Sequence, residues 1–306
     1  MIMSEIRQPN GRAGWWTWRM SNETPTTSAI QIERARTFRD LHAGERPLVL
    51  PNAWDPASAR VVEEAGAAAV ATTSAGVGWG LGFGDGERLS RERAVELIAR
   101  VVATVDVPVT ADIEAGYGEG AEDVAATVRG VLAAGAVGIN LEDASHASEG
   151  PAVRSTEENA ARIAAARQAA DEVGVPLFIN ARTDIYLASV GEPETRLNET
   201  LERAAAYVAA GADGVFVPGV VDFETVTALV KGVAAPLNVM VWLGAPSVEE
   251  FAELGVARIS VGAAIAQSVH ALTRRAAREV LTSGTYTSFA EGLSYPELNG
   301  LFERRA

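Results

Sequence analysis

The sequence contains no cysteine. Thiol nucleophiles, thiolate metal sites and disulfide staples are therefore excluded. It is also short of positive charge: 26 Lys and Arg against 40 Asp and Glu leave a formal net charge of −14. Such a surface repels phosphate backbones and anionic headgroups, so neither a nucleic-acid nor a membrane partner is expected. An anionic substrate would have to be drawn in by local positive charge, from a metal or a buried arginine. No apolar run approaches the roughly 20 residues that a membrane span needs. No apolar stretch follows Arg7 and Arg12, so they do not read as a secretory signal, and a cytoplasmic location is expected.

What is present fits a soluble globular protein. Hydrophobic residues make up 48% of the 306 and charged residues 22%, enough for a large core without staples. Residues 1–29 are polar except for Trp15, Trp16 and Trp18. They read as a disordered arm, with contact between these tryptophans and a partner subunit as the alternative. Residues 30–306 read as one folded domain with a C-terminal helical extension.

One phrase recurs along that domain: an amphipathic helix, a small-Gly turn, then an apolar strand. It appears at 63–74, 132–143, 208–219 and 252–262. The glycine sits where a helix C-cap needs a left-handed residue, and the strand reads as a continuous apolar run. Four more strands are read at 48–53, 107–114, 175–182 and 235–242. Helical stretches alternate with them near 55–66, 90–105, 121–134, 156–173, 195–210, 222–232, 247–254 and 263–281. Asp55–Pro56 reads as an N-cap with Pro at N1, and Ser155 with Glu158 as a capping box. Eight βα units with short connections predict an α/β fold of the closed (β/α)8 TIM-type barrel.

In such barrels chemistry sits at the C-terminal ends of the strands. The third strand ends D-I-E-A-G-Y-G, where Asp112 and Glu114 are two apart and would face the same side. Two carboxylates that close repel unless a cation or proton lies between them. Glu142 and Asp143 add acid from the next strand, and Asp85 from the glycine-rich loop after strand two. Oxygen-only ligands of this kind suit Mg2+ or Mn2+. The fifth strand ends N-A-R-T-D, so Arg182 either clamps a carboxylate or pairs with Asp184 or a metal-site acid. Thr73, Ser74, Ala75 and Gly76 after strand two offer hydroxyls and backbone N–H groups for an anion. Asn238 is taken as a further substrate contact. Tyr117 and Tyr186, near strand ends, are possible hydrogen-bond donors. His146, in the loop after strand four, is the acid/base candidate there and otherwise a solvated histidine.

These motifs resemble the isocitrate lyase / phosphoenolpyruvate mutase superfamily from about Ile32 to Leu281: PNAWDPASAR, TTSAGVGWGLGFGD, ADIEAGYG, INLEDA, INARTD and AGADGVFVPG. The resemblance implies bound Mg2+ and a 2-oxo-acid or its enolate. It implies Asp112 as direct metal ligand, Asp85, Glu114 and Glu142 holding metal-bound waters, and the Thr73–Ser74 backbone with Arg182 on the carboxylate. It also implies a last helix exchanged between subunits of a homodimer or homotetramer. The sequence departs from the family in the loop after strand four, DASHASEGPAVRSTEE, which lacks the lyases' cysteine segment and the mutases' Lys and Asn. Glu114 replaces the more usual second Asp. The expected activity is therefore Mg2+-dependent C–C cleavage, decarboxylation or hydrolysis of a 2-oxo-carboxylate through a metal-bound enolate. Two alternatives stand beside it: P–C bond chemistry on a phosphonopyruvate-like substrate, and 2-oxo-acid binding with little catalysis.

Overall fold

A computed structural model describes residues 29–145 and 152–303. The Trp-rich segment and His146 lie outside the described residues. The first strand is split by Pro51 into β1 (Leu48–Leu50) and β2 (Asn52–Ala53). Proline has no N–H to give a ladder, so the two pieces turn to opposite neighbours. β1 pairs with the last strand, β9 (Arg258–Ser260), and β2 pairs with β3 (Val70–Thr72). Between them run β4 (Val109–Asp112), β5 (Gly138–Glu142), β6 (Phe178–Arg182), β7 (Gly214–Val217) and β8 (Leu237–Met240). Every neighbouring pair is parallel, in the order β1-β9-β8-β7-β6-β5-β4-β3-β2. Nine strand pieces thus occupy eight positions of a TIM-type barrel.

The expected helices all form: α2 (Pro56–Glu64), α4 (Arg91–Thr104), α5 (Ala121–Ala133), α6 (Thr156–Val173), α7 (Arg196–Ala209), α8 (Phe223–Gly232), α9 (Val248–Leu254) and α10 (Ala264–Thr282). Asp55 caps α2 through Ser58, with Pro56 in the first turn. Ser155 caps α6, but the box is only half made. Glu158 turns its carboxylate to Arg154 instead. Two helices were not expected: α1 (Ala29–Asp40) precedes the barrel, and α3 (Ser74–Gly80) follows β3 directly. α11 (Tyr295–Gly300) lies in the C-terminal extension after the last barrel helix.

The strands differ from the apolar runs read in the sequence. Odd-numbered positions such as Ile139, Leu141, Ile179, Ala181, Val215, Val217, Val239 and Ile259 are buried against the helices. Even-numbered positions carry Asn140, Asn180, Asn238, Arg258 and Ser260, all buried and bonded across the barrel interior. α1 closes the other end of that interior. Phe38 meets Phe178 edge-on, and His42 stacks on Phe178 with ring centroids 3.9 Å apart.

Candidate active site

Asp112 ends β4 with one carboxylate oxygen accepting the Ser74 backbone N–H at 3.0 Å. Its own N–H donates to Thr72 Oγ1 at 2.9 Å. The other oxygen, Oδ1, is buried and has no hydrogen-bond partner. Buried polar atoms are normally paired, so this one is poised for a group that binds oxygen.

Glu114 does not continue the strand. Its φ is +51°, a left-handed turn that ends the alternation. The side chain still reaches the mouth, where it accepts the Glu87 backbone N–H and shares a chamber with Asp85 and Glu142. Burial, joined by Asp112, Asp85 and Glu142, pushes the Glu114 carboxyl up to about 7, against the Glu87 bond. That crowding of negative charge is what a cation or a proton relieves.

Arg182 lies opposite. Its Nη1 is 2.8 Å from Glu142 Oε2, and its Nε and Nη2 grip Asp184 in a fork at 2.6 and 2.8 Å. Burial alone would lower its pKa, but Glu142 and Asp184 outweigh burial and hold it above the usual arginine value. The guanidinium also stands 5.7 Å from the centroid of Phe216. Beneath, Asp143 is fully buried among the Asp184 backbone N–H, the Tyr207 hydroxyl and Arg203. It holds the base of the arginine's loop.

Two adjoining chambers result. One, of about 330 Å3, is lined by Thr73, Ser74, Ala75, Asp85, Asp112 and Arg182 together with Asn52, Asn140, Ser260, Trp79, Leu187, Phe216, Met240, Val241, Trp242 and Gln267, among others. The second, of about 310 Å3, is lined by Ser74, Asp85, Gly86, Glu114, Glu142, Arg182 and Asp184. The structure thus brings Thr73, Ser74, Ala75, Asp85, Asp112, Glu114, Glu142 and Arg182 to one mouth. Four of the expected residues line neither chamber. Gly76 is buried in α3, where a Cβ would stand 2.8 Å from Trp54 Cβ. Asn238 lies inside the barrel, donating to the Val239 carbonyl and to Ser260 Oγ. Tyr117 and Tyr186 are the other two.

Among the described residues no group of three or more acids or histidines is close enough to hold a metal ion as placed. Arg182 occupies Glu142 and Asp184, and backbone N–H groups take one oxygen each of Asp112 and Glu114. The donor set nevertheless fits a hard divalent cation, since it is all oxygen and includes the unpartnered Asp112 Oδ1. The sequence reading missed the floor and wall of the larger chamber. Asn140 had a visible signal, an Asn at the same place in INLED as Asn180 in INARTD. Leu187, Met240 and Trp242 had none.

A family model described as phosphoenolpyruvate phosphomutase matches residues 38–281. A crystal structure of a Burkholderia cenocepacia J2315 protein, provisionally described as a phosphonomutase, is 48% identical. It covers 80% of this chain and 98% of its own, with a TM-score of 0.75. An uncharacterised Mycobacterium tuberculosis H37Rv protein is 38% identical over 227 residues, 74% of this chain and 81% of its own. Oxaloacetate decarboxylase 2 of Pseudomonas fluorescens Pf0-1 is 31% identical over 271 residues, 86% of this chain and 88% of its own.

Proposed function

Because this chain belongs to the phosphoenolpyruvate phosphomutase family, within the isocitrate lyase / phosphoenolpyruvate mutase superfamily, we propose that it is a Mg2+- or Mn2+-dependent enzyme that breaks a C–C bond beside a 2-oxo-carboxylate. One observation carries this reading. Asp112 with its unpartnered oxygen, Glu114 with its raised pKa, and the arginine fork of Arg182 face two adjoining chambers at the barrel mouth, Arg182 lining both.

Asp112 would hold the cation directly, with Asp85, Glu114 and Glu142 around its waters. The cation would supply Lewis-acid polarisation of the substrate's oxo and carboxylate oxygens. Arg182 binds the substrate carboxylate, and Glu142 and Asp184 fix its plane for that contact. The Thr73–Ala75 backbone lines the other side of the carboxylate.

Decarboxylation or hydrolysis is favoured over isocitrate-type cleavage because no cysteine is available as a lid acid. Loss of CO2 needs no protein acid at the departing fragment. Similarity to an oxaloacetate decarboxylase points the same way. P–C chemistry is disfavoured by Arg154, the one cation of the loop after β5. It is buried and committed to Glu158 and the Ala144 carbonyl. The exposed apolar side chains of α10, Val269, Leu272, Val280 and Leu281, suit a helix shared between subunits of a dimer or tetramer.

The test is to incubate the Mg2+-loaded protein with oxaloacetate, isocitrate, 2-methylisocitrate and phosphonopyruvate. Pyruvate or oxalate should form from oxaloacetate, and EDTA should stop the reaction. Asp112→Ala should lose activity and metal binding while remaining folded. Undiminished turnover in that variant would remove Asp112 from the site, and rapid glyoxylate release from isocitrate would overturn the choice of reaction.

A further inference from the structure

The larger chamber has a mixed lining. Asp85, Asp112 and Arg182 share it with Leu187, Phe216, Met240, Val241 and Trp242, and Phe216 stands beside the Arg182 guanidinium, 5.7 Å from ring centroid to carbon. Phe216 is buried, whereas Leu187 and Trp242 leave 45% and 44% of their surface exposed. The apolar wall is built in. At the end of β9, Gly262 has φ +54°, and a Cβ there would stand 2.7 Å from Met240 Sδ. Only glycine lets that turn run so close and keep Met240 in the wall.

Arg182 is the one cationic side chain lining either chamber among the described residues. A substrate anchored there by its 2-oxo-carboxylate has no second cationic side chain for a phosphonate, or for a carboxylate that the reaction does not remove. Any such group would lie unpaired against carbon, which costs free energy. The chamber's 330 Å3 falls within the range of cavities that enclose ligands well beyond a four-carbon diacid.

Resting on the 2-oxo-acid reading above, we propose that the substrate carries a branched apolar substituent on C3, seated against Leu187, Phe216, Met240, Val241 and Trp242. In the decarboxylating version the C3–C4 bond breaks, and its electron pair passes into the C2–C3 enolate. C4 leaves as CO2. C3 then takes a proton from water, giving a 2-oxo acid with the apolar arm retained and no change in redox state.

Calorimetry on the full chain with Mg2+ tests this with four probes: oxalate, pyruvate, 4-methyl-2-oxopentanoate and 2-oxoglutarate. Each buried methylene is worth about fourfold in affinity. The branched acid should therefore bind at least about tenfold more tightly than pyruvate, and 2-oxoglutarate more weakly than the branched acid. Trp242→Ala should bring the ratio of branched acid to pyruvate toward one, and Leu187→Ala should lower it independently. Oxalate binding with a flat series, or with 2-oxoglutarate preferred, overturns the apolar arm and leaves the 2-oxo-acid reading standing. Failure of oxalate and pyruvate alike to bind overturns both.

Discussion

Glu114 and His42 show how burial sets charge in this barrel. A carboxyl raised to about 7 stays protonated in the folded state where the unfolded chain has already ionised. Its ionisation therefore costs stability as pH rises from 4.5 to about 7 in metal-free protein. A divalent cation competes with that proton. The rise in melting temperature on adding Mg2+ should accordingly be larger at pH 8 than at pH 5; equal shifts would detach Glu114 from the cation. His42 behaves in the opposite sense. Burial, then Arg258, pushes it down to about 3, while its bond to the Phe38 carbonyl opposes the shift. The unfolded chain binds this proton below 6.5 and the folded one does not. Stability from this group is complete above 6.5 and falls as pH drops toward 3, with a slope approaching about 1.4 kcal/mol per pH unit. His42→Phe keeps an aromatic ring on Phe178 and removes the titration. Urea unfolding of that variant should show a flatter pH dependence between 6.5 and 4. Arg182→Lys loses the planar fork, so 2-oxo-acid affinity should fall by about 1–3 kcal/mol in calorimetry. Unchanged affinity would leave Arg182 as the partner of Glu142 and Asp184 only.

Among the elements, α3 does most to shape the mouth. Residues 73–76 read as an anion-binding turn, yet Ser74–Gly80 coil into two turns whose start lies against Asp112. Gly76 allows this, because it packs against both Trp54 and Thr73 where a Cβ would stand within 3 Å. Gly76→Ala should destabilise the fold by about 1–3 kcal/mol, the usual cost of overpacking. It should also weaken metal binding by displacing Ser74 from Asp112. A fully stable variant would show that α3 can shift away. The split of the first strand at Pro51 is a second element-scale device. It changes partners within one strand position, which a plain strand reading of 48–53 did not foresee.

At the scale of the molecule, the formal net charge is −14, and Arg182 is the one cationic side chain lining the mouth among the described residues. Substrate capture should therefore depend on the bound divalent ion more than on long-range attraction. α10 and the segment after it leave Leu272, Leu281, Tyr286, Phe289, Leu293 and Tyr295 exposed. Light scattering is expected to find a dimer or tetramer, and Leu272→Asp with Leu281→Asp to shift it toward monomer. A wild-type monomer would refute the shared-helix expectation.

Sequence alone determined the barrel, through the repeated helix–glycine–strand phrase and the four strands read between its copies. Each repeat is local: propensity, a cap and a C-terminal glycine are properties of neighbouring residues. The acids of the mouth were legible for the same reason, since a strand end is located once its strand is. Side-chain company is not local, and there only the tertiary structure decided. Arg182 meets Glu142 because β5 and β6 lie side by side. Asp112 loses a partner for one oxygen because α3 folds over it. Asn140, Asn180, Asn238, Arg258 and Ser260 come together because they face one barrel interior, whose far end Phe38 and His42 close from outside the repeat. The apolar wall was invisible for the same physical reason. Leu187, Met240 and Trp242 are scattered along the chain, and closure of the ring makes them one surface.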